Sequence, residues 1–503
     1  MIDVSTAGAD VTLPLPRLPL PARLRSATGL RVVAATVLGW SAAGLDAGLT
    51  PVAVPHIGAA LHTDVAGLQW VAGAYTVALA ALLLPGGSLG DRFGRKRMFV
   101  WGAAGFALAS LLCALAPNLG ALIAARVAQG AAAALVTPGS LAVLSAAIDP
   151  RDLNAAIGLW TGATGIVTAA GPVLGGWLLE IVGWRTVFLL ELPPALVAAA
   201  LALSAVPESR SLGADPVDVS GAALLVAGLA VPTYGLIAGR PVLLLPGALL
   251  LALFVLRQVR GSHPLVPGTL FRGRLFGLLT VVTVLAYGAL GGIQFLLGWQ
   301  LQTVAGYSAL AAGAATVPIA ALASALSGWA QRAAHRHGPA APMTAGLVVA
   351  AGGAMWLTGI GADTSYFDGV LPGTLAVGAG FAMFVAPLTS ALFASIRGPE
   401  VGAASGVNTA AARAASLLAV AGLPALVGIS GRSGVDAVGT GFAAALWICA
   451  GLLLAGAALA ATVPRRPSAL IRRPRRGPSP VPRADSVPRG RNPAGRAGRP
   501  GPR

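Results

Sequence analysis

Cysteine is almost missing from this chain. Cys113 and Cys449 are the only two in 503 residues, and both fall inside apolar runs, so no disulfide framework is expected. Lysine is rarer still: Lys96 stands alone beside 33 arginines. With abundant alanine and glycine, that bias looks like a high-GC bacterial genome and not like selection for nucleic acid, and no nucleic-acid partner is expected. Charge of either sign is scarce. Charged residues are 10% of the chain, against about 25% in an ordinary soluble domain, and the mean hydropathy is +0.79. No Gly-rich, Lys-bearing phosphate loop appears, which argues against ATP binding. No triad, paired carboxylates or metal-ligand spacing of His and Cys is present, so neither an enzyme, a metal site nor a cofactor is expected. What these absences leave is an integral membrane protein.

The apolar runs are long enough for that. Crossing about 30 Å of hydrocarbon takes roughly 20 apolar residues in a helix. Fourteen stretches qualify, near 30–52, 68–90, 97–116, 119–146, 154–179, 185–205, 218–237, 241–256, 275–299, 309–329, 341–361, 367–393, 402–428 and 438–462. Arginines collect on one set of connections, including Arg92, Arg95, Arg97, Arg151, Arg210, Arg260, Arg332 and the tail, while the other set keeps Arg185, Arg240 and Arg432. Basic residues beside spans mark the cytoplasmic side, so both termini are expected inside the cell.

The pattern six, two, six divides the chain. Residues 1–29 form a cytoplasmic segment without the apolar core of a cleavable signal, which leaves the first span as an uncleaved insertion signal. A six-helix bundle follows over 30–206, an inserted helix pair over 207–258, a basic cytoplasmic loop over 259–274 and a second six-helix bundle over 275–462. The tail, 463–503, carries 12 arginines against Asp485 and too few apolar residues to fold alone. Disorder is expected there, against anionic lipid headgroups.

Between the second and third spans lies Gly87-Ser88-Leu89-Gly90-Asp91-Arg92-Phe93-Gly94-Arg95-Lys96-Arg97. This resembles the loop motif of the major facilitator superfamily, with a degraded second copy over Gly328 to Pro339. Span five carries Gly171-Pro172-Val173-Leu174-Gly175-Gly176, with Gly158 upstream, and resembles the antiporter motif of exporters. Leu45-Asp46 with Val52-Ala53-Val54-Pro55, Gln69-Trp70-Val71 with Tyr75, Trp184-Arg185 with Phe188, and Asn408 with Arg413 extend the likeness. Together they narrow it to the fourteen-span drug:proton antiporter branch, the multidrug efflux type. In place of that branch's usual Thr and Asn, the first span has Gly48 and Pro51.

The resemblance implies an all-α membrane fold in which two bundles rock about a central cavity. It implies that Gly87, Asp91, Arg92, Gly94, Arg95 and Arg97 form a gating loop in which Asp91 latches the two halves. It also assigns Arg126, inside span four, to the proton-relay region. An ionised side chain there costs at least about 2.5–3.5 kcal/mol in lipid, so Arg126 needs a partner, and Gln129 can supply a hydrogen bond. Asp46 is the lone acid of its span and is expected to exchange a proton for cargo; the alternative is a structural pair with Arg126 or Arg413. Glu191 is either a second protonatable site or an outer-mouth glutamate reaching water. Tyr75, Gln129, Gln294, Trp299, Asn408 and Arg413 are candidates to line a substrate cavity.

The expected function is export of small lipophilic or cationic compounds, such as drugs and antibiotics, in exchange for protons, by a monomer in a bacterial plasma membrane. Its rivals are a dedicated exporter of one endogenous metabolite or antibiotic and a transport-inactive membrane sensor with the same fold.

Overall fold

Inside hydrocarbon each backbone N–H and C=O must be satisfied within the chain, which leaves helices as the economical solution for apolar runs. The computed structural model describes residues 22–211, 216–261, 264–270, 273–396, 401–429 and 435–464. Among them the regular structure is helical, apart from one isolated bridge between Ala22 and Ile148. The first six helices are α1 (Ala27–Leu61), α2 (Val65–Phe93), α3 (Arg95–Ala114), α4 (Leu119–Ala147), α5 (Leu153–Ile181) and α6 (Arg185–Ala205). Two follow, α7 (Val219–Ile237) and α8 (Leu244–Arg260). The last seven are α9 (Arg274–Thr303), α10 (Ala309–Ala325), α11 (Ser327–His337), α12 (Ala340–Leu357), α13 (Leu371–Ala394), α14 (Val401–Leu426) and α15 (Val435–Ala461).

Among the described residues thirteen helices are long and apolar enough to cross a membrane, and the pair α10 and α11, bent by 44°, makes up to fourteen. That pair departs from expectation. The apolar pattern predicts one helix over 309–329 with the loop copy from Gly328 to Pro339; instead α10 stops at Ala325 and Ser327–His337 forms its own helix. The segment carries three Ala, two Arg and one Gln, all good helix formers, and it turns Ala330 inward while Trp329 stays exposed. Gln331 Nε2 donates to Ser390 Oγ of α13 and pins it.

Helix starts are set by side chains that accept orphan N–H groups: Ser26 for α1, Asp64 for α2, Asn118 for α4, Asp218 for α7 and Ser308 for α10. Lipid gives helices no hydrophobic drive to associate, so close packing rests on small residues. Gly86 of α2 lies against the Ala134 backbone of α4, and Gly346 of α12 against Gly380 of α13.

Helices α1 to α6 pack mainly among themselves, as do α9 to α15. The two groups meet where α5 lies on α10, α2 on α14 and α1 on α9, while α7 packs on α8, α2 and α14. The hydrogen bonds joining the groups, among the described residues, all sit at the end away from the termini. Gln69 Nε2 donates to the carbonyls of Val420 and Ala421, each at 2.9 Å. Gln302 Nε2 donates to Val52 O at 3.1 Å, and Leu310 N to Glu180 Oε1 at 2.8 Å. At the opposite end a vestibule of about 520 Å³ opens between α2, α4, α14 and the 264–267 linker.

Candidate functional site

Polar residues buried among α1, α2, α3, α4 and α6 meet at one place. Arg126 of α4, completely buried, directs Nη1 to Asp46 Oδ1 of α1 and Nη2 to Asp46 Oδ2 at 3.0 Å. Its Nε donates to Val71 O at 2.9 Å, and Nη1 also to Gln129 Oε1 at 2.7 Å. The guanidinium lies over the rings of Tyr75, 4.5 Å from its centroid, and Phe188, at 5.7 Å, a placement that stabilises a cation further. Thr50, one turn after Asp46, donates to Asp46 Oδ1 at 2.8 Å.

The same network reaches Glu191. Gln129 Nε2 donates to Glu191 Oε2 at 2.6 Å and to Ser110 Oγ at 2.8 Å, and Ser110 Oγ donates to Glu191 Oε2 at 3.4 Å. Glu191 is completely buried, so the reading of a glutamate reaching water at the outer mouth does not hold. Its Oε1 has no hydrogen-bond partner among the described residues. One cation and two acids thus share a single buried cluster, which is neutral overall when one acid carries a proton. The sequence singled out Asp46, Arg126, Gln129 and Glu191. It gave no sign of Thr50 or Ser110, whose roles depend on helix rotation.

The glycine motif of α5 serves as a packing surface. Gly171 lies against Leu45 O, Pro172 against Gly48 and the approach of Gly313, and Gly175 against Leu49. A Cβ on Gly176 would collide with the Ala309 backbone of α10. Four of the five named residues therefore seat α5 on α1 and α10, close to the bonds at the far end. Gly158 stands apart, facing open space.

The segment read as a gating loop is mostly helix, since α2 runs through Phe93 and α3 starts at Arg95. Gly94 makes the turn with φ +111°, a conformation that glycine adopts without strain. Asp91 accepts from Arg95 Nε at 3.0 Å and Nη2 at 2.8 Å, and Ser211 N donates to Asp91 O at 3.0 Å. Arg95 belongs to Asp91's own half and Ser211 to the connection after α6, so among the described residues Asp91 makes no latch to the second bundle. Arg92 instead lies over the Phe93 ring. An acid outside the motif, Glu208, takes the N–H groups of Lys96 and Arg97 at 3.1 and 3.2 Å. A carboxylate on a helix N-terminus is favourable, but nothing in the sequence around Glu208 pointed there.

The expected cavity residues divide. Gln294, Asn408 and Arg413 line one cavity of about 260 Å³ between α9 and α14, together with Tyr287, Thr409 and Ser416. Tyr75 and Gln129 belong to the Arg126 cluster, with the Tyr75 hydroxyl donating to Ala43 O at 3.1 Å. Trp299 is core, edge-on to Phe295. Asn408 Oδ1 accepts from Thr283 at 2.8 Å. Along α14, Ala403 and Gly406 face the vestibule and Thr409, Arg413 and Ser416 the cavity, so one side of a single helix joins the two. No group of three or more His, Cys, Asp or Glu suited to a metal occurs among the described residues.

Comparison with known proteins bears on what this arrangement serves. A family model described as Major Facilitator Superfamily matches residues 36–420. The tetracenomycin C resistance and export protein of Streptomyces glaucescens is 32% identical over 420 residues, 81% of this chain and 76% of that protein. The multidrug resistance protein Stp of Mycobacterium tuberculosis is 33% identical over 393 residues, 76% of this chain and 73% of that protein. Both relatives come from actinomycetes, in keeping with the high-GC composition and a plasma-membrane setting. The crystal structure of the POT family transporter PepTSo superimposes with a TM-score of 0.68, covering 88% of this chain and 98% of that one at 16% identity, a likeness of fold. The chain is a multi-pass membrane transport protein and not an enzyme, and it belongs to the major facilitator superfamily.

Proposed function

We propose that the protein exports small lipophilic compounds, antibiotics among them, in exchange for protons. The observation that carries this reading is the buried cluster of Asp46, Arg126, Gln129 and Glu191. A charge left without a counter-charge in such surroundings is costly. With Asp46 held by Arg126, the cluster has one acid in excess, and a proton on Glu191 balances it. Gain and loss of that proton changes the net charge buried within the first bundle, which gives the two rocking states different stabilities.

With the termini in the cytoplasm, as the arginine distribution indicates, the conformation described is closed outward and open inward through the vestibule. Cargo then enters along α14 to the cavity at Arg413. Proton entry from outside and the opening of the bonds at Gln69, Gln302 and Glu180 belong to the opposite half of the cycle. The relatives support export as the direction, since one is named for the resistance and export of a single antibiotic and the other for multidrug resistance. The compact cavity favours a second reading within the same class, a dedicated exporter of one compound.

The test is flux in proteoliposomes under an imposed pH gradient, with a panel of lipophilic fluorescent dyes. Gradient-dependent dye movement that is lost in Glu191→Gln supports proton exchange. Undiminished pumping by Glu191→Gln and Asp46→Asn together would end it. Movement of many dyes favours the multidrug reading and of none the dedicated one.

A further inference from the structure

The cavity between α9 and α14 holds an arginine with nothing to answer it. Arg413 lies partly exposed in the cavity wall. It makes no hydrogen bond or ion pair among the described residues. The amide oxygen on the same wall, Asn408 Oδ1, is taken by Thr283. None of the helices α9 to α14 carries an acid in its own sequence; Asp363 and Asp368 come before α13, and Asp436 stands at the start of α15. An uncompensated cation at membrane depth marks a functional site by default, and the group that compensates it best is a carboxylate or another acidic oxygen held by two parallel N–H donors.

The rest of the wall describes the cargo's body. Tyr287 is backed edge-on by Phe381 at 6.0 Å and at a tilt by Phe384 at 6.5 Å, which makes one side aromatic and rigid. Gln294, Thr409 and Ser416 add hydrogen-bonding groups. A volume of about 260 Å³ is slightly below that of sites for drug-sized ligands, so it accepts a fused ring pair while the remainder of a larger cargo lies between the bundles. A cation would meet Arg413 as a like charge. The acids that would attract it, Asp46 and Glu191, are buried and already engaged by Arg126 and Gln129.

We propose that this cavity binds the acidic, oxygen-bearing end of a flat aromatic cargo, with Arg413 as the residue that selects it. This rests on the reading of the cavity as the cargo site and replaces the expectation of cationic compounds with an anionic class.

Equilibrium binding to the full chain in lipid nanodiscs tests it at fixed pH and without a gradient, so a failure of proton exchange leaves the result standing. The probes are 2-naphthoate, 2-naphthamide and 2-naphthylmethylammonium, which share one ring system and differ in charge. The wild type is expected to bind naphthoate at least tenfold more tightly than naphthamide. Arg413→Gln should remove that preference, with an unchanged thermal melt reporting an intact fold, and Arg413→Lys should keep part of it. Equal affinities in the wild type, no binding of naphthoate, tightest binding of the ammonium probe, or a naphthoate preference that survives Arg413→Gln would each overturn the proposal. If Arg413→Gln yields no folded protein, the wild-type ranking and the retained preference of Arg413→Lys decide it.

Discussion

Arg126 and Asp46 face each other from α4 and α1 with both carboxylate oxygens engaged and no exposure to solvent or lipid beyond 5% of either side chain. Removing one member of such a pair leaves the other charged and alone, which costs about 3–5 kcal/mol. Asp46→Asn is therefore expected to lower the melting temperature of the purified protein far more than a surface substitution does. The double variant Asp46→Asn, Arg126→Gln should cost clearly less than the two single changes added together. A thermal-melting cycle over the four proteins checks this, and strict additivity would show the pair to be uncoupled.

Within the α5 motif the glycines are not equivalent. Gly176→Ala forces α5 away from the backbone of α10, whereas Gly158→Ala places a methyl group in open space. The first is expected to weaken closure at the far end and slow transport several-fold; the second should leave transport within twofold of wild type. Uptake rates in proteoliposomes, with expression matched, separate them.

The turn between α2 and α3 makes a different demand. A Cβ at Gly94 would lie within 2.6 Å of Glu208 Oε1, on a backbone with φ +111°. Gly94→Ala should cost about 1–3 kcal/mol, and Glu208→Ala about 0.5–2 kcal/mol through the lost helix cap. Asp91→Asn loses an ion pair that is partly exposed on both sides, worth less than about 1 kcal/mol. Ranked unfolding in detergent, with Gly94→Ala and Glu208→Ala both below Asp91→Asn, is the expected order.

Asp218, at the start of α7, anchors the inserted pair. It accepts from Gly221 N at 2.9 Å, Arg257 Nε at 2.8 Å and Gln258 Nε2 at 3.1 Å. Burial alone would push its carboxyl up; the hydrogen bonds from Arg257, Gly221 and Gln258, with the Arg257 charge, outweigh that and hold it below the usual range. A depressed carboxyl contributes stability that is present above its unfolded value, about 3.9, and is lost as pH falls through the folded one. The melting-temperature gap between wild type and Asp218→Asn should be constant from about pH 7 to 5 and shrink below about pH 4. A gap that widens on acidification would contradict this.

The sequence made some of this legible and hid the rest for identifiable reasons. Helix positions follow from summed hydropathy, which tolerates local error, so most spans fall within a few residues of their expected ends. Arg126, Asp46 and Glu191 stood out because a charge in an apolar run is conspicuous alone. What each one touches is set by the rotation and tilt of separate helices, so the handover from Arg126 through Gln129 to Glu191 needed coordinates. Trp299 shows the same blindness in reverse, a polar-tipped aromatic that resembled a cavity residue and packs on Phe295. The tenth span ends early because its apolar run gives way after Leu326 to the polar stretch Ser327–His337, which forms a helix bent by 44° from α10.

Two of the three side chains that clasp the bundles together at the far end, Gln69 and Gln302, grip main-chain oxygens on the opposing helices. A clasp of that kind asks nothing of the residue types it lands on. Val420, Ala421 and Val52 are free to drift over evolutionary time, together with whatever selectivity their neighbours encode, while the door keeps shutting in the same way.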